Sequence, residues 1–165
     1  MTTKICTKCL IEKPLTEFSN AKATKDGKMY VCKECNRKTT SIYRLTYSGM
    51  YSEIKARNKH YKTHEWDLGR KEFLSWCDDV SYSCSYCDMP DYVLPIFAKK
   101  YGGRYKRFTL DCKDNSLGYR IDNITWACDR CNTIKSDILS FDEARKLSQE
   151  YIKPKWQELL EENLL

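Results

Sequence analysis

Hydrophobic positions along this 165-residue chain fall into short clusters separated by polar stretches. Glu12 to Phe18 reads as a strand-like run, a polar turn with Asp26-Gly27 follows, and Met29, Tyr30 and Val31 form a returning run. Asp-Gly between two such runs signals a hairpin. From about Asn36 to His64 the chain is polar, basic and helix-permissive, and Ser48-Gly49 is expected to break it into two helices. Tyr43, Tyr47 and Tyr51 are spaced by four, which predicts one helical face, with core packing ahead of base stacking as its use. A further helix is predicted from about Arg70 to Asp78, burying Phe73, Leu74, Trp76 and Cys77. Alternation over Tyr105 to Asp111 predicts a strand, Asn115 to Gly118 a turn, Ile121 to Trp126 a second strand, and Asp129 to Ser136 a short helix. Ser140 and Glu143 form a capping box for a C-terminal helix with Ala144, Leu147 and Tyr151 as its buried stripe, broken or kinked at Pro154.

Four Cys-x-x-Cys pairs punctuate this pattern. Cys6 and Cys9 precede Cys32 and Cys35 by 22 intervening residues, and Cys84 and Cys87 precede Cys128 and Cys131 by 40. Such a pair sets two sulfurs on one side of a tight knuckle, and two knuckles close the tetrahedron that zinc prefers. Two structural Zn2+ ions are expected, each with a full coordination shell and no open position for chemistry. The fold class predicted is α+β, built from small zinc-stabilised modules rather than one large core. Its parts are a four-cysteine zinc ribbon over 1–38, a basic helical linker region over 39–80, a zinc-braced module over 81–140 and a C-terminal helix over 141–165. Cys77 and Cys112 are left over, and Cys77 reads as a buried thiol.

No run approaches the roughly 20 apolar residues of a membrane span, and the first residues lack the apolar stretch of a secretory signal. An intracellular protein is expected, where reduced thiols serve as metal ligands before disulfides. Net charge is +6, unevenly spread: residues 1–72 carry 16 Lys/Arg against 8 Asp/Glu, and residues 73–165 carry 13 against 15. The first half is therefore the expected polyanion-seeking surface, through Arg37, Lys38, Arg44, Lys55, Arg57 and Lys59. In the second half Arg104, Lys106, Arg107, Lys113, Arg120, Arg130 and Lys135 are candidates for gripping a phosphate backbone, which positions nucleic acid without reading its sequence. His60 and His64 read as solvated members of the basic helical region, able to reach the second module only if the chain folds back.

Asp111-Cys112-Lys113-Asp114, then Asn123, then Cys128-Asp-Arg-Cys131-Asn132 stand in the order of an HNH nuclease. The segment from about 82 to 140 resembles the zinc-stapled phage branch of that family, the recombination endonuclease VII type. The resemblance implies a ββα-metal module in which Asp111 and Asn132 hold one catalytic divalent cation, Mg2+ or Mn2+, and Asn123 orients the base or pins the loop. It implies a DNA substrate, duplex or branched, and a phage or mobile-element source, with the host cytoplasm as location in the phage case. The family places its general-base histidine directly after the metal-ligating aspartate, where this chain has Cys112. A thiol is a poor base for water at a phosphodiester, and thiolate prefers softer metals than magnesium. Asp114 is a nearby group that could polarise water. Two functions follow as expectations: a DNA endonuclease, or an inactive HNH-like zinc protein acting as a DNA-binding or regulatory factor. The apolar tail from Trp156 to Leu165 suits either a homodimer contact or packing on its own module.

Overall fold

A computed structural model describes residues 2–103 and 107–164. Arg104, Tyr105 and Lys106, expected to begin a strand and to add basic charge, lie outside the described residues, as does Leu165 of the tail. The architecture is α+β, and the chain divides into two compact units, Met1–Glu53 and Ile54–Leu165.

In the first unit β1 (Thr3–Ile5) pairs antiparallel with β2 (Glu12–Pro14), and β3 (Phe18–Asn20) with β4 (Lys28–Cys32). The second hairpin turns through Gly27, whose φ of 68° is costly for any residue with a Cβ. Strands this short bury almost nothing by themselves. The buried cluster is Phe18 together with Cys6, Cys32 and Cys35, so the thiols are most of the core. Helix α1 (Lys33–Leu45) starts from Cys32 and is exposed beyond Cys35, with Ile42 and Leu45 facing solvent.

Helix α2 (Tyr47–Tyr61) follows after a single residue, Thr46. The break thus falls before Ser48-Gly49 rather than on it. The Thr46 hydroxyl donates to the Tyr43 carbonyl at 2.7 Å and accepts from the Gly49 amide at 3.1 Å, so it caps both helices. Gly49 serves a different purpose: a Cβ there would overlap the Tyr43 carbonyl, so its bareness lets the two helix ends approach. The early break also separates the three tyrosines. Tyr43 lies exposed on α1 while Tyr51 is buried on α2, and they share no single helical face.

In the second unit α3 (Arg70–Asp79) buries Phe73 and Cys77. Helix α4 (Leu94–Tyr101), which no sequence signal singled out, opens with Pro95 in its first turn and buries Leu94 and Phe97. Strands β5 (Thr109–Cys112) and β6 (Ile124–Ala127) form an antiparallel hairpin with Asp111 opposite Thr125 and Cys112 opposite Ile124. Trp126 of β6 is fully buried, with Phe73, Trp76 and Tyr82 around it at ring distances of 6.1, 5.1 and 5.0 Å. Helix α5 (Asp129–Lys135) leaves β6 through Cys128, and α6 (Phe141–Leu147) begins at the expected capping box, with Ser140 N–H donating to Glu143 at 2.9 Å.

A π-helical turn (Ser148–Ile152) then joins α6 to α7 (Lys153–Leu164). The wider turn shifts the buried face, and Pro154, which cannot donate to the carbonyl four residues back, follows it at once. Ala144 and Ser148 are buried, whereas Leu147 is 37% and Tyr151 59% exposed, so the predicted stripe holds only at Ala144. Trp156 and Leu159 pack onto their own unit, and Trp156 Nε1 donates to the Cys87 carbonyl at 3.1 Å. No described helix is long and apolar enough to cross a membrane.

Candidate active site

The eight paired cysteines converge as two clusters, Cys6, Cys9, Cys32 and Cys35, and Cys84, Cys87, Cys128 and Cys131. Within each the four sulfurs lie within 4.8 Å of one another, a spacing that fits tetrahedral zinc. Backbone amides feed both: Cys32 N–H donates to Cys6 Sγ and Cys128 N–H to Cys84 Sγ, each at 3.3 Å. The Cys32 amide is the main reason that the Cys6 thiol is pulled down to about 6, while burial pushes Cys35 up to about 12. Burial opposes ionisation of Cys84, yet hydrogen bonds from Cys128, Cys131 and Cys87 bring it below the ordinary thiol range. Without a cation such a set favours one thiolate over its neighbours. A divalent soft-tolerant ion is what lets all four ionise together.

Beside the second cluster lies an open cleft of about 550 Å³. Asp111 from β5, Asn132 from α5, and Arg57, His64, Asn115 and Tyr119 line it. The alternation of β5 decides what enters. Thr109 and Asp111 are half-buried and line the cleft, Leu110 borders it while only 2% exposed, and Cys112, also 2% exposed, does not line it. One Asp111 oxygen accepts the Tyr86 hydroxyl at 2.6 Å and stands 3.9 Å from the Lys135 ammonium. Burial raises the Asp111 carboxyl above the usual range, against the pull of Tyr86, Lys135 and His64. An anionic oxygen and an amide oxygen opening onto a space this size suit a hard divalent cation, with room for water and phosphate on its remaining positions.

Cys112 sits on the opposite face of the strand. Its thiol is pushed up to about 12, first by burial and then by the charge of Asp111. Asp114 is exposed and caps the short turn Asn115–Leu117, accepting from Ser116 N–H at 2.8 Å and its hydroxyl at 2.6 Å. It borders a neighbouring depression with Ser116 and Phe141 rather than the cleft of Asp111. Asn123 is buried and uses its whole amide on the loop between the strands: its oxygen accepts from Asp114 N–H at 2.9 Å, and its nitrogen donates to the carbonyls of Asp114 and Gly118 at 2.7 and 2.8 Å.

The basic candidates divide. Arg57 lines the cleft, and Lys55 and Lys59 lie exposed on α2. Arg37, Lys38 and Arg44 lie exposed on α1, with Lys38 paired to Glu34 at 2.9 Å. Arg120 pairs with Asp122 at 3.4 Å, and Arg130 donates to the carbonyls of Tyr101 and Gly102. Lys135 is only 1% exposed. Its ammonium donates to Asn115 Oδ1 at 2.8 Å, so its charge is spent inside the unit.

His64, expected as a solvated member of the basic helical region unless the chain folds back, lines the cleft. It lies three residues beyond the end of α2, and three devices turn it into the cleft. Lys62, at φ 51°, reverses the chain as an αL helix terminator. Asn58, buried on α2, accepts from His64 N–H at 3.1 Å and donates to its carbonyl at 2.8 Å. The chain then crosses the hairpin loop, with Tyr119 N–H donating to Glu65 O at 2.9 Å and Asp67 N–H to Tyr119 O at 3.0 Å. His64 Nδ1 lies 3.2 Å from the Asn115 carbonyl. A carbonyl only accepts, so Nδ1 carries the proton and Nε2 is left as the basic nitrogen. His60 stays exposed on α2.

No family model matches the chain, and a search of curated proteins also finds no match. A search of solved structures matches the rare-cutting HNH restriction endonuclease PacI, described for its mechanism of DNA perturbation, with a TM-score of 0.56 and 22% identity. The match covers 94% of this chain and 96% of PacI. The chain shares the fold of that enzyme. The likeness therefore extends well beyond the third of the chain whose motifs suggested it.

Proposed function

We propose that this chain is a divalent-metal-dependent DNA endonuclease whose reaction occurs in the Asp111 cleft. The observation that carries the reading is the convergence of Asp111, Asn132 and an imidazole with a free Nε2 on one open space. Asp111 and Asn132 would hold Mg2+ or Mn2+, which when bound supplies positive charge to the scissile phosphate and its leaving oxygen. His64 Nε2 takes the proton of the attacking water. The water oxygen bonds to phosphorus, and the bond from phosphorus to the leaving sugar oxygen breaks. Asn115 holds the imidazole in the tautomer this step needs and faces the imidazolium it produces. Arg57 and the exposed lysines of α2 offer phosphate contacts, so binding should weaken steeply with salt. In both clusters zinc is structural, since four thiolates leave no open position. A reducing compartment suits eight cysteines held for metal.

The test is nicking of plasmid DNA with Mg2+ or Mn2+. Support is cleavage by the wild type that disappears in Asp111→Ala, Asn132→Ala and His64→Ala while DNA binding persists. Cleavage that survives these changes, or DNA binding with no cleavage under any divalent metal, would overturn the proposal. The second of those results favours a binding or regulatory protein, the reading that Cys112 in place of the family histidine supports.

A further inference from the structure

We infer that the Cys84–Cys87 knuckle sets the position of the cation-binding carboxylate through Tyr86, so that metal in the second thiolate cluster governs cation affinity in the cleft. This rests on the reading that Asp111 holds the cleft cation. Tyr86 lies inside the knuckle, between Ser85 and Cys87, and is fully buried. Its hydroxyl donates to Asp111 Oδ2 at 2.6 Å. The preceding residue holds the other end of the same rung: Thr125, the cross-strand partner of Asp111, donates to Ser85 Oγ at 2.5 Å. Ser85 N–H also donates to the Trp126 carbonyl at 2.9 Å. Consecutive knuckle residues therefore grip both strands of the hairpin at the level of the carboxylate.

The grip is stiff. The Tyr86 carbonyl accepts from Gln149 Nε2 at 2.7 Å, and its ring packs on Phe141 at 5.0 Å. A tyrosine has few rotatable bonds, so fixing its Cα and ring fixes its oxygen. A buried hydroxyl needs only some acceptor, and a backbone carbonyl would serve. Here the acceptor is the carboxylate that opens onto the cleft, and the hydrogen bond restricts which way its oxygens point. Hydrogen-bond partners of a ligand of this kind typically carry 10- to 100-fold of metal affinity. Tyr86 is a positioning residue on this account, since it touches neither metal nor DNA.

Tyr86→Phe keeps the ring and removes the oxygen. In the full, zinc-loaded chain we expect two zinc ions retained, a melting temperature close to wild type, and Mn2+ affinity, read by calorimetry or by the free-Mn2+ paramagnetic signal, weakened about tenfold or more. Mn2+ binding within twofold of wild type would overturn the inference. Asp111→Ala in the same assay separates the two proposals: if it binds Mn2+ like wild type, the reading of the cleft fails. If it loses Mn2+ while Tyr86→Phe does not, only the inference fails. A second measurement needs no variant at Tyr86. With cadmium-113 in the thiolate clusters, Mg2+ titration of the wild type should shift the resonance of the Cys84 cluster, and an unmoved resonance would overturn the coupling.

Discussion

The carbonyl of Glu65 occupies the space in which a Cβ on Gly118 would stand. This close approach, at a glycine with φ 64°, lets the segment after α2 lie on the hairpin loop and carry His64 to the cleft. Gly118→Ala combines a backbone clash with an unfavourable φ, and should cost on the order of 2–3 kcal/mol of stability. Cleavage should fall further than stability explains, since His64 moves with Glu65. Nicking measured well below the variant's melting temperature separates the two losses.

His64→Gln should lower cleavage by about 10²–10⁴-fold, the range for loss of a positioned acid–base group. DNA affinity in a gel-shift titration should stay near wild type. His60→Gln, on the exposed face of α2, should cleave as the wild type does.

Cys112→Ala should leave cleavage within a few-fold of wild type, because the thiol faces the core and not the cleft. Its stability cost should be about 1–2 kcal/mol, as for a small core truncation. The same burial makes a reactivity prediction. The thiolate is the reactive form, and both Cys77 and Cys112 are pushed up to about 12, with burial the first cause in each. At pH 8 iodoacetamide should leave both unmodified in the folded, zinc-loaded protein, with peptide mass spectrometry as the readout.

The cysteine spacings made both clusters legible at once, because four thiols have few ways to meet. The β5–β6 hairpin was legible from its alternation and its turn residues, and α5 follows directly on the knuckle residue Cys128. Asp111 and Asn132 came from the resemblance to the HNH order, and both line the one cleft. The place of His64 was not legible. Its route depends on an αL residue at Lys62, a buried amide at Asn58 and a bare Cα at Gly118, none of which leaves a periodic signal. Cys112 misled in the complementary way: the motif put it where a base is expected, and the period-2 alternation of β5 turned it inward. The π-turn before Pro154 likewise carries the buried face away from Tyr151, and Leu147 is already exposed at the end of α6.

Asn123→Ala should be among the most destabilising single changes near the cleft. It leaves the Asp114 amide and the Gly118 carbonyl without their partner and the Asp114 carbonyl with only the Leu117 amide at 3.3 Å, at a cost on the order of 2–3 kcal/mol. Chemical denaturation should show that loss. Mn2+ binding to the residual folded protein should survive, because Asn123 holds the loop and does not line the cleft.

Helices α1 and α5 both begin on a cysteine sulfur that accepts the amide of the cysteine three residues on. Closing a first turn is the unfavourable step in making any helix, and segments under about 12 residues rarely survive alone in water. α5 has seven residues. A metal that ties Cys128 to Cys131 closes that turn by coordination and so supplies the nucleus that the sequence is too short to provide. Asn132 is the next residue along. A newly made chain short of metal would lack the seed from which the Asn132 helix grows, and the scarcity of one ion would be felt as the absence of a ligand for another.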